Sequence, residues 1–96
     1  MKSSLVVTSA GLVNASESDH RRGLIGYVTV AINDALMVDG LTLRRTRAGE
    51  FRLSYPERTD GQGRRHPIVR PLSADDRESI ESQVFAQLGI RAEGAL

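Results

Sequence analysis

Eight of the thirteen basic residues fall between Thr42 and Pro71: Arg44, Arg45, Arg47, Arg52, Arg58, Arg64, Arg65 and Arg70. Only Glu50, Glu57 and Asp60 oppose them, so this stretch carries +5 in a chain whose formal net charge is +1. Twelve of the thirteen basic residues are Arg, and the planar guanidinium fork suits phosphate oxygens and guanine edges. The chemistry on offer is electrostatic binding of a phosphate-bearing partner; the plainer reading is that the arginines solvate a small domain. Other chemistries find little material. No cysteine is present, which removes disulfides, thiolate metal sites and thiol nucleophiles. His20 and His66 are the only histidines, too few for a His-rich metal site, and no acid is placed by spacing to orient His66 as a general base. Gly61 and Gly63 could bring backbone N–H groups to a phosphate, but no helix start follows them and a flexible turn serves as well. P-loop, dinucleotide-binding, zinc-protease and nucleophile-elbow motifs are all missing. An enzyme acting on a phosphorylated ligand is therefore the weakest reading, and no cofactor, metal or small-molecule substrate is expected.

The elements that must carry these arginines are mostly strands. Leu5 to Val13 reads as a first strand, and Asn14 to Arg22, polar after Ala15, reads as a solvated connection. His20, Arg21 and Arg22 lie in it as auxiliary positive charge. From Leu24 to Ile32 the residues Leu24, Val28, Val30 and Ile32 share one parity while Tyr27 and Thr29 take the other, the mark of a half-buried strand. A three-residue loop, Asn33 to Ala35, sets Ile32 opposite Leu36 and Val30 opposite Val38. The apolar parity then switches to Leu41 and Leu43, which predicts a β-bulge or bend at Asp39-Gly40. With Arg47-Ala48-Gly49 as a hairpin loop and Thr46 opposite Glu50, Leu43 meets Leu53 and Leu41 meets Tyr55 on the core face, burying Phe51 as well. The outer face then holds Thr42 against Ser54 and Arg44 directly against Arg52. Like charges so placed repel. Glu50, two residues from Arg52 and diagonal to Arg44, is one answer to that repulsion, and a bound phosphate is the other.

Pro56 ends this strand, and Glu57 to Arg65 is expected to be a flexible loop. His66 to Pro71 follows as an edge strand, since Pro67 and Pro71 cannot donate to a ladder. Ser73 caps a helix that runs to a stop at Gly89, with Ile80, Val84 and Leu88 as its apolar stripe. Its four acids against Arg77 make it a poor phosphate-facing surface. Ile90 to Leu96 reads as a loose tail. The expected architecture is α+β: a small twisted antiparallel sheet of about five strands with one C-terminal helix packed on it, in a single domain over residues 1–96. Aromatics are scarce, which argues against a base-stacking platform.

At 96 residues, 40% of them hydrophobic and 26% charged, the chain can bury one modest core, and dimerisation would add to it. The N-terminal apolar run is broken by Thr8, Ser9 and Gly11 and reads as a strand rather than a secretory signal. No window approaches the roughly 18 apolar residues of a membrane span, so a soluble, cytoplasmic protein with no membrane partner is expected. The triplet Asn14-Ala15-Ser16 is treated as a chance glycosylation match.

Four pieces, in this order and spacing, resemble the SpoVG family of bacterial stage V sporulation and septation regulators. They are Val28-Thr29-Val30-Ala31-Ile32-Asn33-Asp34-Ala35-Leu36-Met37-Val38; Gly49-Glu50-Phe51 leading to Tyr55-Pro56-Glu57-Arg58; His66-Pro67-Ile68; and the helix from Arg77-Glu78-Ser79-Ile80 to Gly89. The likeness covers about Gly26 to Gly89. It implies a homodimer associating partly through strand edges, DNA binding in gene regulation with RNA as a further target, and no enzyme activity. Arg58 falls where the family places basic residues after its proline. The family usually continues there with Ser and two basic residues, whereas here Glu57 intervenes and Arg64-Arg65 comes later. The expected nucleic-acid contacts are Arg44, Arg52, Arg58, Arg64, Arg65 and Arg70, with Arg64 or Arg65 reading a base. The competing reading is a protein-interaction module that pairs through the His66 to Arg70 edge or docks an acidic partner on the basic face.

Overall fold

Residues 5–90 are described by the computed structural model, and its sheet is built outward from one strand. That strand, β2 (Leu24–Ile32), has β1 (Val7–Asn14) on one side and β3 (Leu36–Arg45) on the other, and β4 (Phe51–Ser54) completes a four-stranded antiparallel sheet in chain order. A short helix, α1 (Glu17–Arg21), bridges β1 and β2. Beyond β4, β5 (Glu57–Thr59) and β6 (Arg65–Pro67) pair as a separate two-stranded sheet. The chain then enters the C-terminal helix α2 (Ala74–Leu88). The fold is α+β, with six strands in two sheets where about five in one were expected.

The parity argument sets the register. Ile32 pairs with Leu36, Val30 with Val38 and Val28 with Leu41, so β3 takes one extra residue between Val38 and Leu41. The bulge falls at the expected Asp39-Gly40, where Gly40 has φ +85°, a left-handed conformation that glycine adopts without steric cost. One sheet face is thereby kept apolar from Val28 to Leu43, but a second irregularity between Leu24 and Gly26 pairs Leu24 with Arg44 on the outer face, so Leu24 does not share the core parity of Val28, Val30 and Ile32 as the alternation predicts. Val28, Val30, Leu41, Leu43 and Leu53 are almost fully shielded, and Val84 and Phe85 of α2 close over them with Phe51 and Val7. Each such side chain contributes roughly 1.5–3 kcal/mol relative to exposure. Tyr55 packs on this cluster only partly buried.

The helix also serves the sheet edges. A strand edge presents N–H and C=O groups with no neighbouring strand to bond. Here Val7 N–H donates to Gln83 Oε1 at 2.8 Å, and Gln87 Nε2 donates to the Val7 carbonyl at 3.3 Å. At the opposite edge Leu53 N–H donates to Glu81 Oε2 at 3.0 Å. Ser73 caps α2 by accepting from Asp76 N–H at 3.1 Å, and Gly89 ends it in the left-handed region.

Four further expectations are corrected. The first strand begins at Val7 and ends at Asn14, not Leu5 to Val13. The connection from Asn14 to Arg22 contains α1, because Ser16 Oγ accepts from Asp19 N–H at 3.2 Å and caps one helical turn; without an apolar stripe the turn carried no periodic signal. Glu57 to Arg65 is a hairpin rather than a loop, closed by Asp60. The edge strand expected from His66 to Pro71 shrinks to Arg65–Pro67, since after Ile68 N–H donates to the Pro56 carbonyl at 3.0 Å the chain leaves the ladder. Of the tail, Ile90 packs against the core and its N–H donates to the Phe85 carbonyl at 3.0 Å; residues 91–96 lie outside the described residues. No described helix is long and apolar enough to cross a membrane.

Candidate nucleic-acid interface

The arginines divide into three settings, each fixed by a different element. On the outer face of the main sheet Arg44 stands directly opposite Arg52, and Thr42 opposite Ser54, in the expected register. Glu50 answers Arg52 only loosely, at 4.0 Å, and Glu81 comes from α2 to 3.9 Å of the same guanidinium. Such distances on an exposed side chain give little net attraction. Arg44 has no ion pair with a described residue. The helix covers the opposite sheet face, so both guanidiniums are open to solvent beside Thr42 and Ser54. Tyr27 pairs with Thr42 and is half-exposed on the same face, one row from the arginine pair.

The second setting is the β5–β6 hairpin, which Asp60 holds from within. Asp60 Oδ1 accepts from Gln62 N–H at 2.8 Å and Arg64 N–H at 3.0 Å, while Oδ2 accepts from Arg64 Nε at 3.0 Å and lies 2.8 Å from His66 Nε2. The network assigns the His66 proton to Nε2, which donates to the carboxylate. These bonds, that of His66 foremost and then the two backbone N–H groups, hold the Asp60 carboxyl down at about 2. His66 therefore does have an orienting acid, six residues away across the hairpin, contrary to the reading from spacing. Arg58 pairs with His66 and Thr59 with Arg65, so strand alternation sends Arg58 and His66 to one face and Glu57, Arg65 and Pro67 to the other. Arg64 is committed to Asp60. Of the two base-reading candidates, Arg65 is the one with no ion pair among the described residues.

The third setting is a cavity of about 450 Å³ where β4, the inner hairpin face and the start of α2 meet. Arg65 and Arg70 line it together with Arg77, Glu57 and Tyr55. Arg77 lies over the Tyr55 ring, 5.6 Å from its centroid, a cation–π contact that fixes the guanidinium. The Tyr55 hydroxyl is shielded from solvent and has no hydrogen-bond partner among the described residues. Burial, and then the Glu81 charge, push its pKa up to about 12, so it stays a neutral donor. Thus the structure brings Arg44 to Arg52 and Arg65 to Arg70, and leaves Arg58 and Arg64 on other parts of the hairpin. Sequence reasoning missed Arg77, set aside because α2 is acidic as a whole; net charge does not say which way one side chain leaves a helix. Among the described residues no cluster of His, Cys, Asp or Glu could hold a metal ion.

Comparison with known proteins identifies the family. The SpoVG family model matches residues 11–88, from within β1 to the last residue of α2. The chain is 31% identical over 64 residues to a protein of Borrelia hermsii (strain HS1 / DAH) named "Putative septation protein SpoVG". The aligned stretch takes in 67% of this chain and 66% of the relative, so the chain spans just under two thirds of that protein's length.

Proposed function

Because the chain belongs to the SpoVG family, we propose that it is a homodimeric, cytoplasmic nucleic-acid-binding regulator of bacterial gene expression, acting in septation or sporulation. DNA is its main ligand and RNA a further one. The observation that carries this reading is that Arg44, Arg58, Arg65 and Arg70 make no ion pair with any described residue. Arginines left open in this way are available to the phosphates of a polyanion. The septation role rests on the name of the Borrelia relative.

Apolar surface supports the homodimer. Leu36, Met37, Ile68 and Leu72 are mostly exposed, Leu72 at 96%. A groove of about 390 Å³ lined by Ile32, Leu36, Val38, Val69 and Leu72 runs between the β2–β3 turn and the segment before α2. A second copy laid on this groove would shelter Leu36 and Leu72 and double the number of basic hairpins. The test joins sedimentation equilibrium to filter binding of duplex DNA and structured RNA at two salt concentrations. A dimer whose affinity falls steeply with salt is expected. Absence of binding to both nucleic acids at low salt, or binding indifferent to salt, sinks the reading. A salt-indifferent protein that retains an acidic partner from nuclease-treated lysate would be the interaction module instead.

A further inference from the structure

The cavity between β4, the β5–β6 hairpin and α2 has features that general attraction to a polyanion does not require. Three guanidiniums, from Arg65, Arg70 and Arg77, line it against a single carboxylate, that of Glu57. None of the four side chains forms an ion pair with a described residue, so the positive charge in the recess is not neutralised from within. Charged groups gathered in a recess with low-dielectric walls focus their field on what enters it. The wall is built rather than incidental. Arg77 lies over the Tyr55 ring, 5.6 Å from its centroid, and strand alternation puts Arg65 on the hairpin face of Glu57 and Pro67, which line the same recess. The volume, about 450 Å³, lies in the range of small-ligand pockets, roughly 300–1,000 Å³. Three guanidinium forks around one recess match the tetrahedral, multiply accepting oxygens of phosphate better than a planar carboxylate.

We propose that this cavity is a phosphate-binding pocket in which Arg65, Arg70 and Arg77 hold one phosphate group of a nucleotide, either free or within a nucleic-acid strand. The pocket does not depend on the nucleic-acid reading, because it takes a single phosphate whether or not a duplex binds elsewhere. Arg77 is its distinguishing member, placed on an acidic helix that charge counting assigns to the wrong surface.

The experiment is a titration of the full chain with inorganic phosphate, then with a 5′-mononucleotide, at low and physiological salt, following the arginine Nε–H signals by NMR. Saturating shifts at Arg65, Arg70 and Arg77 are expected, with smaller ones at Arg44 and Arg52. Arg77→Gln should weaken nucleotide binding by about tenfold, the effect of losing one charge-assisted fork. Arg47→Gln, the same charge change in the β3–β4 loop, should alter it by less than about twofold, as expected of a remote screened charge. Shifts spread evenly over all the arginines, or equal effects of the two substitutions, overturn the pocket. The wild-type shifts decide the matter even if a variant fails to fold. Displacement of a bound strand by mononucleotide assigns the pocket to strand phosphates, and simultaneous binding assigns it to the free nucleotide. A saturating pocket in a protein that binds neither DNA nor RNA would leave this proposal standing and remove the regulator reading; nucleic-acid binding that Arg77→Gln and Arg47→Gln weaken equally would do the reverse.

Discussion

Replacing Arg44 and Arg52 by Gln, one at a time, separates stability from binding at the outer sheet face. The two stand directly opposite each other, and a like-charge cross-strand pair costs roughly 0.2–1 kcal/mol. Both are exposed, so a value of about 0.5 kcal/mol applies once solvent screening is allowed for. Arg44→Gln removes that repulsion and loses no ion pair, so stability should rise by about 0.5 kcal/mol, or about 2–4 °C in melting temperature for a domain of this size. Arg52→Gln removes the same repulsion but also gives up Glu50 at 4.0 Å and Glu81 at 3.9 Å. Those long contacts give little net attraction by themselves, but their loss leaves the mostly shielded Glu81 carboxylate with only the Leu53 N–H. Its melting temperature should therefore stay level or fall. Binding should not show this split. Each variant loses one phosphate contact, and the slope of log affinity against log salt should become shallower by about 0.9 in both. Urea unfolding with calorimetry reads the first effect, and filter binding across a salt series reads the second. A melting temperature lowered in Arg44→Gln would refute the cross-strand argument, and unchanged salt slopes in both variants would remove this face from the interface.

Three further outcomes are expected. The Asp60 carboxyl is depressed from 3.8 to about 2 in the folded chain, so its contribution to stability is complete above about pH 4 and lost as pH falls through about 2; urea midpoints should drop over that window in the wild type, and Asp60→Asn should lack this part of the acid dependence. Tyr55 is raised from 10.0 to about 12, so its contribution is complete below pH 10 and lost as pH rises through about 12; the tyrosinate absorbance of a Tyr27→Phe variant should develop near pH 12, and a midpoint near 10 in the folded protein would contradict the burial. Gly26→Ala should destabilise by about 1–3 kcal/mol, because the new methyl group would run into the Val13 carbonyl oxygen and lie 2.8 Å from Leu12 Cδ1; a urea midpoint equal to the wild type would show that β1 can shift freely.

Where a side chain's place follows from a short local period, the sequence was enough. Alternation from Leu24 to Tyr55 gave the pairing of Ile32 with Leu36, the bulge at Asp39-Gly40 and the opposition of Arg44 and Arg52, all as observed. Ser73 and Gly89 likewise bound α2 through groups only a few residues away. Where the period fails, so did the reading. Glu57 to Arg65 has no apolar alternation to reveal a strand, because neither face of that two-stranded sheet is buried: its hairpin is closed by the polar bonds of Asp60 to Arg64 and His66.

The amino-acid sequence by itself determined that the chain is a small α+β domain with a basic stretch rich in arginine, and it fixed which arginines share the outer sheet face. Only the tertiary structure decided that Arg64 is spent on Asp60, that Arg58 and Arg65 leave the hairpin on opposite faces, and that Arg77 joins Arg65 and Arg70 around one cavity. The reason is one of range. Strand parity and helix caps act between residues two to four positions apart, whereas the recess is lined by residues of the hairpin, the start of α2 and the end of β4, which come together only in three dimensions.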